Sequence, residues 1–160
     1  MLKQFCSIAM LLFALAGCAS NTAVATSPQT TVKDDTVGRA DIGALLNNAR
    51  AKAGLSPLAP NAQLTAAARI HAQDMARGGF FSHQGSDRST PSRRVVDQGY
   101  DFCFVAENIA QGWQTPQQVM QGWMDSAGHR ANNLSTKATE YGAARARGDY
   151  WVLVLARPGC

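Results

Sequence analysis

The sequence predicts an α+β domain built as a three-layer α-β-α sandwich. Residues 150–156 are apolar at every position, so a strand there has two apolar faces, one starting at Tyr150 and the other at Trp151. Such a strand has to be covered by helices above and below. Upstream, the chain carries several segments with the apolar spacing of amphipathic helices, which can supply both layers.

Length and charge limit what the chain can be. Its 160 residues, 46% of them hydrophobic, suit one domain with a sizeable core plus a leader. The formal net charge of +4 is too small and too dispersed to indicate a nucleic-acid-binding surface. The densest basic group, Arg88, Arg93 and Arg94, is interpreted as a solvated face and not as the site of an anionic partner. We therefore expect no nucleic acid partner. A monomer is also expected.

Residues 1–17 are typical of a bacterial lipoprotein signal peptide. Lys3 precedes a short apolar run, too short to span a bilayer, and Leu15-Ala16-Gly17-Cys18 resembles a lipobox in which Cys18 is lipidated and becomes the N-terminus. The alternative is a non-lipidated signal peptide cut nearby. Ala19 is not the aspartate that resembles an inner-membrane retention signal, so the expected location is the bacterial cell envelope, on the outer membrane if there are two membranes.

Residues 18–39 are predicted to form a flexible tether between the lipid and the domain. The segment is rich in Ser, Thr, Ala and Asn and has no apolar period, so it cannot bury enough surface to order itself. The domain is therefore assigned to residues 40–160.

The first two helices of the domain are predicted from apolar spacing and end signals. A helix through Ile42 and Leu46 ends before Gly54, which suits a left-handed C-cap. Asn61 caps a second helix that ends at Gly78-Gly79. His71 lies on its apolar stripe and is interpreted as a core histidine with one hydrogen bond, outside the primary site.

Two further helices start at threonine-proline pairs. Thr90-Pro91 begins a short helix, and Thr115-Pro116 begins one that is predicted to run to Gly128, which places His129 directly after the helix end.

The remaining apolar segments are predicted strands. Val105 to Ala110 is an extended segment that carries Glu107, while segments 141–146 and 150–156 flank a glycine-containing hairpin turn at Arg147-Gly148-Asp149.

Cysteine usage predicts one disulfide. Cys6 leaves with the signal peptide and Cys18 is taken by lipid, which leaves Cys103 and Cys160 as a pair in an oxidising compartment. Neither lies in a Cys-x-x-Cys pattern, so a zinc site made of cysteines is excluded.

Three stretches in order resemble a known family. They are Phe81-Ser82-His83, then Glu107-Asn108-Ile109, then Trp123-Met124-x-Ser126-x-Gly128-His129-Arg130-x-Asn132. Order and spacing are similar to the CAP superfamily, also called the SCP domain or the cysteine-rich secretory protein, antigen 5 and pathogenesis-related 1 family, in its bacterial lipoprotein branch. The resemblance covers about residues 40–160 and implies the same α-β-α sandwich, with the two histidines and the glutamate lining a central cleft.

The expected site is this cleft, with His83, Glu107, His129, Asp125 and Ser126 as its ligand-binding residues. Two imidazoles and a carboxylate are the ligand set of an open zinc site, and the resemblance implies a link to zinc or another divalent metal. The second acidic position of the family falls on Ser126, with Asp125 beside it, which departs from a four-residue metal cluster. The alternative is a buried hydrogen-bond network in which the imidazoles donate to Glu107 and no metal is held.

Three functions follow as expectations. The first is a lipid-anchored, extracytoplasmic module whose cleft binds a lipid, a small hydrophobic molecule or a protein, with or without a divalent metal. The second is a hydrolase of peptides or envelope material, with Ser126 as nucleophile, His129 as base and Glu107 as orienting carboxylate; no nucleophile elbow accompanies it. The third is an interaction module whose cleft is only structural. The sequence assigns no catalytic residue.

Overall fold

A computed structural model describes the backbone of residues 34–160 and the side chains from Asp41 onward. The predicted signal peptide, the lipidated Cys18 and the first part of the tether lie outside the described residues. The elements in chain order are α1 (Asp34–Lys52), β1 (Ala59–Pro60), α2 (Ala62–Gly78), α3 (Pro91–Asp97), β2 (Phe102–Gln111), α4 (Pro116–Asp125), α5 (Ala127–Asn133), β3 (Glu140–Ala146) and β4 (Tyr150–Pro158). Helix α1 thus begins within the range 18–39 that the sequence assigns to the tether. None of the helices in the described part of the chain is both long and apolar enough to span a bilayer.

The predicted helix starts are confirmed by their capping bonds. The side chain of Asn61 accepts hydrogen bonds from the backbone N–H groups of the first turn of α2, and Gly79 ends that helix at a φ of +63°. Thr90 caps α3, and Thr115 forms a reciprocal capping box with Gln118 at the start of α4. These local signals are strong because each satisfies backbone donors that have no partner inside the helix.

The four strands form one sheet in the order β1-β3-β4-β2. β4 runs antiparallel to β2 on one side and to β3 on the other, and the short β1 pairs parallel with β3. The predicted hairpin between β3 and β4 is confirmed, and its turn places Gly148 and Asp149 at positive φ. β2, which carries Glu107, is therefore an edge strand next to the central strand β4.

Two hydrophobic clusters lie on opposite faces of this sheet, and β4 contributes to both. Helices α2 and α3 cover the face that contains Tyr150, Val152 and Val154. Helices α1 and α4 cover the face that contains Trp151, Leu153 and Leu155. The predicted three-layer α-β-α sandwich is confirmed, because alternate side chains of one strand enter the two layers of core.

Gly142 permits a close backbone contact between helix α2 and the sheet. A Cβ added to Gly142 in β3 would lie 2.1 Å from the backbone nitrogen of Thr65 and 2.2 Å from the carbonyl carbon of Leu64. Such distances do not occur between real atoms, so α2 reaches its position against β3 only because residue 142 has no side chain.

The predicted end of the fourth helix at Gly128 is wrong. Helix α4 ends at Asp125, Ser126 takes an extended conformation, and a separate helix α5 begins at Ala127. The guanidinium of Arg130 donates to the carbonyl of Met124 at 2.7 Å and so satisfies one of the last carbonyls of α4. Gly128 lies inside α5, and His129 occupies its first turn.

The disulfide between Cys103 and Cys160 is confirmed, with the two Cα atoms 5.1 Å apart. Cys103 lies at an irregularity in the pairing of β2 with β4, between Phe102 and Phe104. The bridge therefore joins β2 to the segment that follows β4, on the strand that leads to Glu107.

Candidate functional site

Glu107 is the centre of the candidate site. It lies on β2, and its side chain is only 1% exposed. One carboxylate oxygen, Oε1, accepts a hydrogen bond from Nδ1 of His83 at 2.8 Å. The other, Oε2, accepts one from Nη2 of Arg94, also at 2.8 Å. Both oxygens of this buried carboxylate are thus occupied by nitrogen donors.

His83 is the exposed member of this arrangement. Its side chain is 53% exposed and lies in the loop that follows α2. Because Nδ1 donates its proton to the carboxylate, the neutral ring carries its lone pair on Nε2, on the side away from Glu107. Glu107 therefore holds His83 in one tautomer and one orientation, and Nε2 makes no hydrogen bond to the residues that the structure describes.

Arg94 is a buried site residue that the sequence analysis placed wrongly on a solvated face. The residue is 4% exposed. Besides Glu107, its guanidinium donates to the backbone carbonyls of Ser89 and His83, each at 3.0 Å. These bonds tie α3 and the loop that carries His83 to the glutamate. Glu107 indicates in the sequence that a buried cation is needed, because a carboxylate within an apolar strand has to be paired. It does not indicate which of Arg88, Arg93 and Arg94 is that cation.

His71 is the core histidine that its helical position predicted, and it also lies against the site. It is fully buried, and its Nε2 donates to the carbonyl of Ser82 at 2.8 Å. The same nitrogen is 3.8 Å from Oε1 of Glu107. Burial lowers the pKa of His71, and the positive charge of Arg94 adds to this, whereas the charge of Glu107 raises it. A neutral ring thus supports the His83 loop from below.

The backbone of His129 is held against β2 by asparagines on α5 and β2. Its carbonyl accepts a hydrogen bond from Nδ2 of Asn108 at 3.0 Å, and Asn108 also pairs with Asn132 and Asn133, at 2.8 Å each. Burial lowers the pKa of the half-buried His129, and the nearby charge of His83 lowers it further. The influence of His83 on this pKa means that the two imidazoles lie within electrostatic range of each other.

Asp125 and Ser126 do not join this network. Asp125 is exposed and accepts a hydrogen bond from Nε2 of Gln121, its neighbour one turn earlier in α4. Ser126 separates α4 from α5, and its side chain makes no capping bond. Within residues 41–160 neither side chain is hydrogen-bonded to His83, Glu107 or His129. The Ser126, His129 and Glu107 arrangement of the hydrolase hypothesis is therefore not assembled, because Glu107 orients His83 instead.

The donor set does not fit the three-ligand metal centre that the sequence suggested. Among the residues with described side chains, no group of three His, Cys, Asp or Glu is arranged to hold a metal ion. The physical reason is the engagement of Glu107, whose two oxygens are occupied by His83 and by a buried guanidinium. A cation at that carboxylate would have to displace Arg94 or lie against its positive charge. The arrangement agrees in part with the hydrogen-bond network that the sequence left as the alternative, because His83 donates to Glu107 while the other oxygen is bound by Arg94 and not by His129.

Comparison with known families gives one match, over most of the domain. The profile of the family described as CAP, the cysteine-rich secretory protein family, matches residues 44–155. Two curated relatives come from Bacillus subtilis. The uncharacterized protein YkwD is 38% identical over 98 residues, which are 61% of this chain and 38% of YkwD. The uncharacterized membrane protein YlbC is 30% identical over 110 residues, which are 69% of this chain and 32% of YlbC. The chain thus spans well under half the length of these relatives.

Solved structures have the same fold. An extracellular protein of Bacillus anthracis that contains an SCP domain superimposes with a TM-score of 0.77 at 27% identity, over 82% of this chain and 44% of that one. An outer surface protein of Borrelia burgdorferi gives 0.69 at 20% identity, over 74% and 90% of the two chains. A cysteine-rich secretory protein of Staphylococcus aureus gives 0.67 at 23% identity, over 78% and 40%. The last two likenesses concern the fold alone.

Proposed function

This chain belongs to the CAP family of cysteine-rich secretory proteins, and from that premise we propose that it is a lipid-anchored binding module of the bacterial cell envelope. Its ligand contacts the imidazoles of His83 and His129. The observation that carries the proposal is the hydrogen bond from His83 to Glu107, which fixes one nitrogen of an imidazole whose side chain is 53% exposed. Such pre-orientation lowers the entropic cost of ligand binding.

The chemistry of the two rings indicates what kind of group they contact. When its ring is neutral, His83 accepts a hydrogen bond at Nε2, because Nδ1 carries the hydrogen that is donated to Glu107. Burial lowers the pKa of His129, which favours the neutral form of that ring. Neutral imidazoles suit a ligand that presents a hydroxyl or amide donor. Phe81, two residues before His83, is 49% exposed and offers an apolar contact beside the polar one. An amphiphilic ligand, such as an envelope lipid, matches both.

Extracytoplasmic location is supported by the relatives and by the disulfide. The Bacillus anthracis protein is described as extracellular and the Borrelia burgdorferi protein as an outer surface protein. A disulfide between Cys103 and Cys160 suits an oxidising compartment. The lipid anchor at Cys18 rests on the lipobox of the sequence, which lies outside the described residues.

The other functions that the sequence suggested have less support. A hydrolase that uses Ser126 needs a bond between that serine and His129 and a carboxylate behind His129, and Glu107 is already paired with His83 and Arg94. Zinc binding stays a prediction that the occupied carboxylate does not favour. The proposal predicts that a substitution in the cleft can abolish ligand binding without loss of stability. A cleft with a purely structural role predicts loss of stability and no effect on ligand binding.

Capture of ligand from envelope extract tests the binding function. The full-length protein, purified in non-ionic detergent, is incubated with a lipid extract of the same envelope, and the retained lipids are identified by mass spectrometry. We expect His83→Ala and His129→Ala each to reduce retention at least about tenfold. The unfolding midpoint should stay unchanged in His129→Ala, whereas His83→Ala also removes a hydrogen bond to the buried Glu107 and should lower the midpoint while the protein stays folded at the assay temperature. Gln84→Ala, at an exposed neighbour of His83, is the matched control and should retain the wild-type amount. Equal retention by all four proteins would exclude the cleft as the binding site.

A separate measurement tests the anchor. Intact-mass analysis of the protein isolated from membranes should give a chain that begins at a diacylated Cys18. A chain with an unmodified N-terminus beyond residue 18, recovered from the soluble fraction, would contradict the anchor and leave the binding proposal intact.

A further inference from the structure

A second buried arginine lies away from Glu107 and has no carboxylate partner. Arg50, near the end of α1, is 2% exposed. Its Nε donates to the carbonyl of Ser56 at 2.9 Å, and its Nη1 donates to the carbonyls of Asn133 and Ser135, both at 2.9 Å. All three acceptors are neutral, and Arg50 forms no ion pair with any carboxylate among the described side chains. Its positive charge is therefore buried without a counter-ion.

The remaining amino group of this guanidinium, Nη2, is available to donate a hydrogen bond to a ligand. Nη2 makes no hydrogen bond to the described residues, and it is not one of their buried polar atoms that lack a partner, so it keeps access to solvent. Burial lowers the pKa of Arg50 from its usual value, which reflects the cost of holding this charge away from water. The group stays protonated at neutral pH because arginine starts from a very high pKa.

An open cavity of about 350 Å³ lies at this position. It is bounded by Arg50, by the loop of residues 54–58 and by Thr136, Ala138 and Thr139. The hydroxyl-bearing residues on its wall, Ser56, Thr136 and Thr139, are exposed. A guanidinium amino group and neighbouring hydroxyls are donors that recognise an oxyanion, and no acidic side chain lines the cavity to oppose one.

We propose that this cavity is a binding site for a single oxyanion group, phosphate or carboxylate, that pairs with Nη2 of Arg50. The bound group supplies the counter-charge that the fold leaves out. The pairing gains from the low exposure of the arginine, since a charge-assisted hydrogen bond is stronger away from bulk water. The site shares no residue with the His83 and His129 cleft, and it does not depend on the function proposed for that cleft.

A purely structural arginine makes a different forecast. The three carbonyl bonds of Arg50 hold the loop after α1 and the end of α5 together, and that role needs no ligand. If Arg50 has only this structural role, added oxyanions should change neither the NMR spectrum of the protein nor its melting temperature beyond the effect of ionic strength. Because replacing Arg50 would remove these bonds, the decisive variant has to leave it in place.

Titration of the ¹⁵N-labelled full-length protein, in non-ionic detergent, tests the site. Inorganic phosphate and acetate are added separately, with sodium chloride at equal ionic strength as reference. We expect saturable shifts of the backbone amides in residues 54–58 and 136–139, together with a rise in melting temperature. The anion that saturates at the lower concentration identifies the preferred group. The proposal is overturned if the amides of these residues do not shift. It is also overturned if the shifts do not saturate and occur next to basic side chains throughout the protein.

A carboxylate built into the cavity provides the matched test. Thr136→Glu places a tethered oxyanion at the wall, and it should raise the melting temperature without ligand and weaken the response to phosphate at least about tenfold. Lys137→Glu makes a larger change of charge at the next exposed residue, which does not line the cavity, and should keep most of the response. Equal loss in both variants would show a general charge effect and refute a site at Arg50.

Discussion

At the scale of single residues, the chemistry of this domain depends on how Glu107 is compensated. A carboxylate that is 1% exposed meets a guanidinium that is 4% exposed at 2.8 Å, with one imidazole donating to its other oxygen. Each charge is costly to bury alone and acceptable only with its partner. His83, Glu107 and Arg94 should therefore respond to substitution as one unit, with effects that do not add.

The first prediction concerns this pair. Glu107→Gln removes the negative charge and leaves Arg94 buried without a counter-ion, so we expect the free energy of unfolding to fall by about 3–5 kcal/mol. Asp97→Asn is the control, because it breaks the exposed ion pair with Arg93 and should cost no more than about 0.5 kcal/mol. Urea denaturation of both variants measures the difference. Similar losses would contradict the central role of the buried pair.

The second prediction concerns pH. His71 is fully buried, and its pKa is lowered in the folded state, so the unfolded chain binds the additional proton first as the solution is acidified. Stability is therefore complete above the unfolded pKa of about 6.5 and falls below it. Between pH 7.5 and 5.5 we expect His71 to contribute a loss of up to about 1.4 kcal/mol. Unfolding at both pH values should show a smaller loss in His71→Gln, and an unchanged slope in that variant would exclude His71 as the cause.

Residue identity alone predicted part of this site. His83, Glu107 and His129 stand out because each lies within a recognisable stretch, and Glu107 is hydrogen-bonded to His83. The place of the His129 imidazole in the site stays a prediction. Arg94 was missed because local sequence cannot tell which side of a short helix packs on a distant strand. His71 was correctly placed in the core, but its 3.8 Å approach to Glu107 depends on the packing of α2 on the sheet.

At the scale of elements, helix starts were predictable and one helix end was not. Thr90, Thr115 and Asn61 cap their helices through their own side chains, which is chemistry contained in four consecutive residues. The break at Ser126 depends instead on Arg130 reaching back to Met124 and on asparagines of α5 bonding to β2. The sequence offers Gly128, two residues after Ser126, as a helix-ending signal. The end of α4 was therefore predicted too late in the chain.

The third prediction compares two glycines of these elements. Gly142→Ala forces a Cβ into the backbone of α2, so we expect a loss of at least about 2 kcal/mol, because α2 and β3 have to separate. Gly128→Ala meets nothing within 4 Å and lies inside α5, so it should be neutral or stabilise by up to about 1 kcal/mol. Thermal unfolding of the two variants gives the comparison. A tolerated alanine at 142 would contradict the close contact between α2 and β3.

At the scale of the whole molecule, the fold was predictable because a single strand determines it. The two apolar faces of β4 require two helical layers, and the two hydrophobic clusters show that both are present. The order of the strands was not predictable in the same way. That β1 pairs parallel with β3, and that β2 lies at the opposite edge, depends on long-range contacts that no local pattern encodes.

The fourth prediction concerns the disulfide. Cys103 and Cys160 are 57 residues apart, and in the chain-entropy model a loop of that length stabilises the fold by about 4 kcal/mol. Cys103→Ser with Cys160→Ser should therefore lower the free energy of unfolding by up to that amount while the fold is retained. Guanidinium denaturation without reductant is the measurement, and the wild type with added reductant should approach the double variant. A double variant as stable as the oxidised wild type would contradict the prediction.

Because both faces of β4 are apolar, its hydrophobic pattern alone does not exclude a one-residue shift in register against its neighbouring strands. In a strand with one polar face, a slip of one residue exposes apolar side chains to water and is rejected at once. In β4 such a slip exchanges Tyr150, Val152 and Val154 for Trp151, Leu153 and Leu155, so that one apolar face replaces another. Only side-chain volume and fixed points can then select the native pairing. The disulfide between Cys103 and Cys160 is such a fixed point. Oxidation of these two thiols thereby favours the native register of β4 against β2 over a register shifted by one residue.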